Sequence, residues 1–526
     1  MGGVRTALYN YLYAKQHGGD FIIRIEDTDS HRFVPGAEEY IIEALKWCGI
    51  IPDEGVDSNG KVVEMPSERH PHAPYRQSQR KGIYREYAEL LVREGYAYYA
   101  FDSSAELEAR RTAAEAVKET FIYNQATRMT MRNSLTLSQE ETTRLLETTT
   151  DWTVRFKMPE HQVVAMDDLI RGHIEVNTDT LDDKVLWKRA DELPTYHLAN
   201  IVDDHLMEIT EVIRGEEWLP SLPLHYMLYK AFGWEDTMPR FAHLSLLLKP
   251  DGKGKLSKRD GDKLGFPVFP LRWTSKDGEV SRGYREDGYF PEAFVNLLAF
   301  LGWNPGDDRE IFSMDELVEA FSLERIVKSG ARFNPDKAKW YNKEYLRRKS
   351  DDQLTDLFIP LLEADGMQIV DCPVCAITAG AEFNETGADF ANHIYTRDYV
   401  RSIVSLIKER ATFVADFRDI ASYLFVRPEN YVEKDRNKFG TPENVAYAQE
   451  AVQYITGAFD GPFDKEHLET ALEEYIRSRE WPMGKVMNCL RLALSGSGSG
   501  LGIADIIWRL GRKEVRARFD EFMKTL

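Results

Sequence analysis

The chain has 526 residues and a formal net charge of −20 at pH 7. Its length predicts several domains, and its hydrophobic content of 43% is sufficient for packed cores. The four cysteines are too few and too scattered for a disulfide framework, and the sequence has no signal peptide and no run of about 18 apolar residues. We therefore expect a soluble cytoplasmic protein with no membrane partner.

The negative charge argues at first sight against a nucleic-acid partner, because contacts to phosphate dominate the affinity of proteins for nucleic acids. Global charge does not decide the question, since a large protein needs basic residues only on the face that makes contact. Lys408, Arg410 and Arg418 are one local group of this kind.

Residues 1–95 read as helix, strand and helix, which is typical of the first half of a nucleotide-binding α/β domain. Gly2 and Gly3 open the first predicted helix, and a buried strand is predicted at residues 21–25. Glycines at a helix N-terminus let phosphate approach the backbone N–H groups, and the helix dipole favours it there. The strand is followed by Glu26, at the edge where ligands bind open α/β sheets.

The pattern changes after residue 96 and changes back around residue 186. Residues 96–185 predict an inserted α+β domain, and residues 186–262 predict the second half of the nucleotide-binding domain. The predicted elements of the insertion are a helix at 104–118 and extended runs at 153–158 and 170–176. Those of the second half are a strand at 185–187, a helix after Tyr196, a strand at 208–214 and a helix at 221–232.

Helical patterns dominate from residue 263 to the end. Residues 263–345 contain predicted helices at 291–301 and 313–321, and residues 346–526 read as two all-α bundles. Residues 495–502, SGSGSGLG, predict a flexible turn.

The motif KLSKR, residues 255–259, closes the predicted α/β part. Its lysines, Lys255 and Lys258, lie three residues apart beside glycine, which suits a triphosphate because each ammonium is a strong point-charge donor. Taken alone the motif fits a solvated basic turn better. The motifs that accompany it decide the question.

Five motifs follow one another in an order that identifies a family. They are FIIRIEDTD (21–29), PYRQSQR (74–80), PTYHLANIVDDH (194–205), VIRGEEW (212–218) and KLSKR. Together they closely resemble the bacterial-type glutamyl-tRNA synthetases, which are class I aminoacyl-tRNA synthetases, over nearly the whole chain. The resemblance implies a Rossmann-like domain split by an insertion for the tRNA acceptor end, then a stem-contact region and an all-α anticodon-binding region.

The resemblance also implies a reaction in which ATP and L-glutamate form glutamyl adenylate, and the glutamyl group is then transferred to the 3′ end of tRNA(Glu). Lys258 is expected to contact the phosphates, with Lys255 as its partner. The rest of the predicted ATP site comprises Gly2, Gly3, Ser257 and Arg259. Mg²⁺ is expected to enter with ATP, held by phosphate oxygens and water.

For the amino acid, the resemblance assigns Glu26 to the α-ammonium group and Tyr196 and Arg214 to the carboxylates. Asn200 and Arg32 are further expected contacts. These assignments agree with the chemistry, because a guanidinium grips a carboxylate in bidentate fashion and a carboxylate pairs with ammonium.

Each of these residues also has a structural interpretation. Glu26 is alternatively a capping or ion-paired acid, Tyr196 a core aromatic, and Arg214 the partner of an acidic neighbour, Glu216 or Glu217. Three histidines are predicted to be structural, because the reaction needs no general base from them: His197, His205 and His225.

The chain departs from the family pattern at its start. The family begins with a strand that carries an arginine, then a PSPTG-like turn and a HIGH-type signature, whereas here Met1 stands at the second position of that signature. We therefore expect the chain as given to lack the first strand, to bind tRNA weakly and to form little adenylate. Some relatives hold zinc in the insertion, but Ala100, Phe101 and Asp102 replace the cysteines. Cys372 and Cys375 have no second pair, so no structural zinc is predicted.

Arg410 aligns with an arginine that contacts the anticodon in some relatives, and the alternative is a solvated arginine on an amphipathic helix. Two other functions stay open. A glutaminyl-tRNA synthetase usually has a β-barrel anticodon part, which the helical periods after residue 346 do not match, and a non-catalytic RNA-binding protein would follow from loss of the first strand. A tRNA-modifying paralogue is excluded by length. We expect a monomer.

Overall fold

A computed structural model describes residues 1–29, 34–371 and 381–526, and it divides the chain into two compact units, Met1–Ala338 and Lys339–Leu526. Arg32, Cys372 and Cys375 lie outside the described residues. The backbone of Lys258 and Arg259 is described, but their side chains are not. No helix in the described ranges is long and apolar enough to cross a membrane.

The first unit mixes helices with short strands. Its helices are α1 (Gly2–Gln16), α2 (Ala37–Trp47), α3 (Lys81–Arg93), α4 (Ser104–Ala116), α5 (Gln139–Thr148), α6 (Tyr196–Leu206), α7 (Leu222–Phe232), α8 (Lys258–Leu264), α9 (Pro291–Ala299) and α10 (Met314–Ala320), followed along the chain by α11 (Pro335–Arg348). Its strands are β1 (Ala97–Ala100), β2 (Thr153–Phe156), β3 (Val163–Asp168), β4 (Gly172–Asn177), β5 (Val185–Lys188), β6 (Leu193–Pro194), β7 (Glu211–Gly215), β8 (Arg240–Leu244), β9 (Leu247–Leu248), β10 (Trp273–Thr274), β11 (Val280–Ser281) and β12 (Ala331–Arg332).

Two four-stranded sheets organise this unit. One has the order β4-β3-β8-β7, in which β7 and β8 are parallel, and the other is the antiparallel sheet β1-β2-β5-β6. A strand at 185–187 was predicted to begin the second half of the α/β domain. The strand exists as β5, but its predicted place is wrong, because it pairs with β2 in the antiparallel sheet. The extended run at 170–176 instead contributes to β4, whose partner β3 bridges to β8.

The segment 21–25 is not a strand of either sheet, contrary to the prediction. It is extended and pairs on one side through isolated parallel bridges, Ile22 with Glu54 and Ile25 with Arg76. The backbone N–H of Ile23 donates to the carbonyl of Glu54 at 3.1 Å. The segment and β7 border a groove with a volume of about 900 Å³.

Buried polar side chains fix helix α1 beside this groove. Arg5 donates to the carbonyl of Leu301 at 2.9 Å and to that of Ser245 at 2.6 Å. The hydroxyl of Tyr9 donates to the carbonyl of Ala299 at 2.9 Å. The bonds to Ala299 and Leu301 satisfy carbonyls at and after the C-terminus of α9, which have no partner within that helix. The first turn of α1, with Gly2 and Gly3, therefore has a defined position.

The KLSKR segment is partly helical. Lys255 bridges to Leu248, and Lys258 is the first residue of helix α8. Ser257 is the N-cap, and it forms a capping box with Asp260, whose carboxylate accepts the hydroxyl of Ser257 at 2.6 Å and its N–H at 2.8 Å. The sequence S-K-R-D thus contains its own helix start signal.

The second unit is predominantly helical, as predicted, with helices α12 (Asp351–Ala364), α13 (Arg397–Ile407), α14 (Asp416–Ala421), α15 (Glu433–Phe439), α16 (Pro442–Gln453), α17 (Lys465–Ser478), α18 (Met483–Ser495) and α19 (Ile503–Thr525). It is not entirely helical, because β13 (Gln368–Val370), β14 (Ala388–Asp389) and β15 (Ile394–Thr396) form a small sheet. The SGSGSGLG segment is held by side chains rather than free. Asp435 accepts from the N–H of Gly498 at 2.9 Å, and Arg491 donates to the carbonyl of Leu501 at 2.9 Å.

Candidate active site

The groove beside segment 21–25 brings together five residues that the sequence analysis assigned to substrates. They are Gly3, Glu26, Tyr196, Asn200 and Arg214. They come from the start of α1, the end of the 21–25 segment, the first turns of α6 and the C-terminal end of β7. Helix N-termini and the carboxyl ends of parallel strands are both places where α/β proteins bind small ligands.

Arg214 is buried at the end of β7, where it makes three hydrogen bonds to neutral groups. It donates to Nε2 of His243 at 3.0 Å, to the hydroxyl of Tyr196 at 2.8 Å and to Nδ1 of His225 at 3.3 Å. His243 is close because Arg214 and His243 are direct register partners on the parallel strands β7 and β8. The guanidinium is therefore held rigidly and in a single orientation.

Arg214 has no carboxylate within ion-pair distance, 4.0 Å, in the part of the chain that the structure describes. The acidic neighbours considered as alternative partners are engaged elsewhere. Glu216 pairs with Arg171 at 2.6 Å, and Glu217 pairs with Lys255 at 3.2 Å. A buried cation without a carboxylate is costly unless an anion reaches it. The arrangement favours an anionic ligand at this point of the groove.

Tyr196 lies beside this cation and lines the groove with its aromatic ring, while its hydroxyl contacts Arg214. Its ring packs against that of Trp218, with centroids 4.2 Å apart and an angle of 31° between the ring planes. Burial raises the pKa of Tyr196 to about 12, so the hydroxyl stays protonated at neutral pH. It accepts a hydrogen bond from Arg214, and its proton remains available to a ligand oxygen.

Glu26 supplies a negative charge in the same groove. Its side chain is 39% exposed, and it accepts one bond from Arg24 at 3.1 Å. Because a carboxylate has two oxygens with several lone pairs, this single bond leaves acceptors for a ligand ammonium. The ion-paired interpretation of Glu26 therefore does not exclude the binding one.

Arg24 organises this part of the site, although it is not among the residues predicted from the sequence. Its guanidinium joins Glu26, the amide oxygen of Asn200 at 2.7 Å and the buried Asp204 at 2.9 Å. Burial raises the pKa of Asp204 to about 6, against the opposing effect of Arg24. A charged residue between Ile23 and Ile25 in an apolar run was the signal for a buried ion pair.

Asp203, the residue before Asp204 on α6, explains the PYRQSQR motif. Asp203 is fully buried and accepts from Arg80 at 2.8 Å, from Gln77 at 2.9 Å and from the hydroxyl of Tyr84 at 2.6 Å. Three donors offset the desolvation of the carboxylate. The motif therefore has a structural role, because it fixes the helix that carries Tyr196 and Asn200.

The remaining predicted ATP residues lie at two helix starts. Gly2 and Gly3 are exposed at the N-terminus of α1, where the first N–H groups have no partner within the helix. The ammonium of Lys255 is exposed and bound to Glu217. Among the described residues, no group of three or more His, Cys, Asp or Glu side chains is placed to hold a metal ion.

Arg410 lies in the second unit, in a single turn, Lys408–Arg410, that follows helix α13. It is exposed and donates to the carbonyl of Gly500 at 3.3 Å. It therefore lies just after helix α13 rather than on it. It stands beside the glycine-rich segment 495–502.

Comparison with known proteins identifies the family. A family model of the catalytic domain of tRNA synthetases class I (E and Q) matches residues 1–340, and one of an anticodon binding domain matches residues 354–523. The glutamate–tRNA ligase of Parabacteroides distasonis is 51% identical over 527 residues, with 100% of this chain and 96% of the relative covered. That of Bacteroides thetaiotaomicron is 49% identical, with the same coverage.

Solved structures agree with these relatives. A crystal structure of a glutamate tRNA ligase from Elizabethkingia meningosepticum in complex with its amino acid matches with a TM-score of 0.89 and 46% identity, over 100% of this chain and 96% of that one. The glutamate-tRNA synthetase of Elizabethkingia anophelis matches with a TM-score of 0.86 and 45% identity, over 99% and 96%. The resemblance predicted from the five motifs is confirmed, and the chain belongs to the glutamate–tRNA ligases, a family of class I aminoacyl-tRNA synthetases.

Proposed function

We propose that this protein attaches L-glutamate to tRNA(Glu) in two steps, through glutamyl adenylate, and that it selects glutamate at Arg214. The observation that carries the proposal is the buried guanidinium of Arg214, held by neutral groups and free of any carboxylate within 4.0 Å among the described residues. The γ-carboxylate of glutamate, which glutamine lacks, completes the hydrogen bonding of Arg214 and neutralises its charge. Glutamine cannot do so, which makes glutamate the preferred substrate.

Two further residues orient the amino acid in this proposal. Glu26 binds the α-ammonium group, and Tyr196 donates its hydroxyl proton to a carboxylate oxygen. Asn200 acts at the same end of the groove, where its amide oxygen is already bound to Arg24. Arg32, outside the described residues, is proposed as a further glutamate contact.

Activation requires the α-carboxylate of glutamate to attack the α-phosphorus of ATP, which forms the adenylate and releases pyrophosphate. Catalysis then consists of positioning and of stabilising charge on the phosphates. We assign the main phosphate contact to Lys258 and a second one to Lys255, with Ser257 and Arg259 completing the loop. Gly2 and Gly3 offer backbone N–H groups to the nucleotide.

Mg²⁺ is proposed to arrive with ATP. It prefers octahedral oxygen coordination and keeps several waters, so phosphate oxygens and water supply its ligands. Lys255 has to exchange Glu217 for a phosphate oxygen in this step, because it is bound to that carboxylate in the structure.

The tRNA contacts follow the division of the sequence. The insertion, residues 96–185, is proposed to hold the acceptor end, residues 263–345 the stem, and residues 346–526 the anticodon, with Arg410 as one reader. The α/β parts, residues 1–95 and 186–262, then carry the chemistry. We propose that the protein works in the cytoplasm as a monomer.

The substitution Arg214→Gln tests the assignment of glutamate. We expect it to weaken glutamate binding by about a hundredfold or more, because a charged hydrogen-bonding pair is lost, and to narrow the preference for glutamate over glutamine. Isothermal calorimetry measures glutamate binding, and charging of tRNA(Glu) measures the reaction. Arg85→Gln, an exposed arginine paired with Glu89 on α3, is the matched control. Unchanged glutamate binding by Arg214→Gln would refute the assignment.

A further inference from the structure

A network of hydrogen bonds, largely buried, runs through Arg214 and includes histidines that the proposed chemistry does not use. Its members are Asp168 on β3, His243 on β8, Arg214 on β7, and His225 and His197 on helices α7 and α6. His243 and Asp168 are 2.6 Å apart, and His225 and His197 are 3.2 Å apart. Asp168, His225 and His243 are all buried.

The donors of arginine fix the protonation of both neighbouring histidines. A guanidinium has only donors, so Nε2 of His243 and Nδ1 of His225 have to be unprotonated acceptors. His243 then carries its proton on Nδ1 and donates it to Asp168, and His225 carries its proton on Nε2 and donates it to Nδ1 of His197. With these protonation states, every hydrogen bond of the network joins one donor to one acceptor.

The pKa shifts of His225 and His243 also indicate that both imidazole rings are neutral. Burial lowers the pKa of His243, although Asp168 opposes the shift, and burial and the charge of Arg214 lower the pKa of His225. Burial raises the pKa of Asp168 less than the bonds from His243 and from the N–H groups of Arg171 and Ile170 lower it, so this carboxylate is ionised. The negative charge nearest to Arg214 along the network is thus separated from it by an imidazole ring.

We propose that His225 and His243 are positioning residues that hold Arg214 while keeping negative charge away from it, which reserves the guanidinium for the carboxylate of the substrate. The inference rests on the proposed function, in which Arg214 binds glutamate. A carboxylate in place of either ring would hold the guanidinium equally well, but it would occupy its charge. Arg214 would then already be neutralised, so binding the uncharged amide of glutamine would no longer leave a buried cation without an anion.

Two substitutions of nearly equal size separate charge from shape at position 225. In His225→Asn the amide oxygen takes the place of Nδ1, whereas His225→Asp puts a carboxylate there. We expect His225→Asn to keep the dissociation constant of glutamate within about threefold, because the neutral acceptor is retained. We expect His225→Asp to weaken glutamate binding by about tenfold or more and to narrow the preference over glutamine, while ATP binding is unchanged in both.

Calorimetry on the full chain with glutamate, glutamine and ATP gives these constants, and thermal unfolding establishes that each variant folds. His205→Asn is the matched control, because His205 lies on α6 but stacks on Trp234, with centroids 3.7 Å apart, away from Arg214. Equal effects of His225→Asn and His225→Asp on glutamate would overturn the inference, since shape alone would then matter.

Position 243 gives a second test that does not require a buried carboxylate. His243→Gln places an amide oxygen near the position of Nε2, and His243→Leu removes the acceptor. We expect only the leucine variant to weaken glutamate binding, by about tenfold, because a buried donor of Arg214 is left unpaired. Equal losses in both variants would count against the inference.

The outcome for Arg214→Gln separates this inference from the proposed function. If Arg214→Gln leaves glutamate binding intact, the assignment of Arg214 is wrong and the inference falls with it. If Arg214→Gln abolishes glutamate binding while His225→Asp binds glutamate normally, the assignment stands and the inference alone is wrong.

Discussion

Two groups on helix α6, the partly buried His197 and the buried Asp204, respond to acid in opposite directions. Burial, with a contribution from Lys184, lowers the pKa of His197 to about 4, whereas burial raises the pKa of Asp204 to about 6. In the unfolded chain His197 binds its proton near pH 6.5, so acidification from pH 6.5 to about 4 favours unfolding through this residue. Asp204 binds a proton first in the folded state, so its contribution to stability increases as the pH falls below about 6.

Single substitutions are expected to reveal the two contributions. Relative to wild type, the free energy of unfolding of His197→Gln should increase by up to about 3 kcal/mol between pH 6.5 and 4, since one pKa unit corresponds to about 1.4 kcal/mol. The free energy of unfolding of Asp204→Asn, relative to wild type, should decrease over the same pH interval. Urea unfolding at both pH values measures the difference. A shift of the same sign in both variants would contradict the two pKa assignments.

The capping of helix α8 links the KLSKR motif to the chemistry at the scale of an element. Ser257 and Asp260 begin the helix at Lys258, so the motif ends on a helix N-terminus, where backbone N–H groups and the dipole favour phosphate. The acid that caps the helix, Asp260, also pairs with Lys249 at 3.0 Å. The two lysines of the motif did not indicate that a helix begins at Lys258, because the helix start signal is in Ser257 and Asp260.

Lys258→Ala is expected to lower the rate of adenylate formation much more than it weakens ATP binding. The loss of one preorganised charge contact to the transition state costs about 3 kcal/mol, on the order of a hundredfold in rate. Single-turnover formation of glutamyl adenylate, with tRNA present, measures the step. Lys263→Ala, an exposed lysine in the last turn of the same helix, is the control. An unchanged rate would reassign KLSKR to a solvent-exposed turn.

Local signals predicted most helices of the first unit, but they did not predict how its strands pair. Helices α4, α7, α9 and α10 are confirmed within a few residues, because caps and periodicity are local. The strand at 185–188 was predicted correctly as a strand. Periodicity does not indicate which strand it pairs with, so it was assigned to the wrong sheet. The buried network around Arg214 was not predictable, because Asp168, His225 and His243 meet only through the register of β3 and β8 and the packing of α7.

At the scale of the whole molecule, the charge of −20 coexists with the binding of a polyanion. Many basic side chains of the described second unit are paired with acids, as Lys408 is with Asp351 at 2.7 Å and Arg418 with Asp365 at 2.8 Å. Two members of the basic group noted in the sequence are thus engaged in the unit itself. Arg410 instead donates to a backbone carbonyl, which leaves its charge unneutralised by that contact.

We therefore expect Arg410 to contribute to the choice of tRNA. A planar guanidinium reads two acceptors on a base edge and stacks on exposed bases, and loss of such a contact costs about 1–3 kcal/mol. Arg410→Gln should relax discrimination between tRNA(Glu) and tRNA(Gln) by that amount, measured as the ratio of kcat/KM for charging. Arg477→Gln, an exposed arginine near Glu473 on α17, is the control. A ratio that does not move would remove Arg410 from the anticodon site. Equal weakening on both tRNAs, with a smaller dependence on salt, would make it a phosphate contact instead.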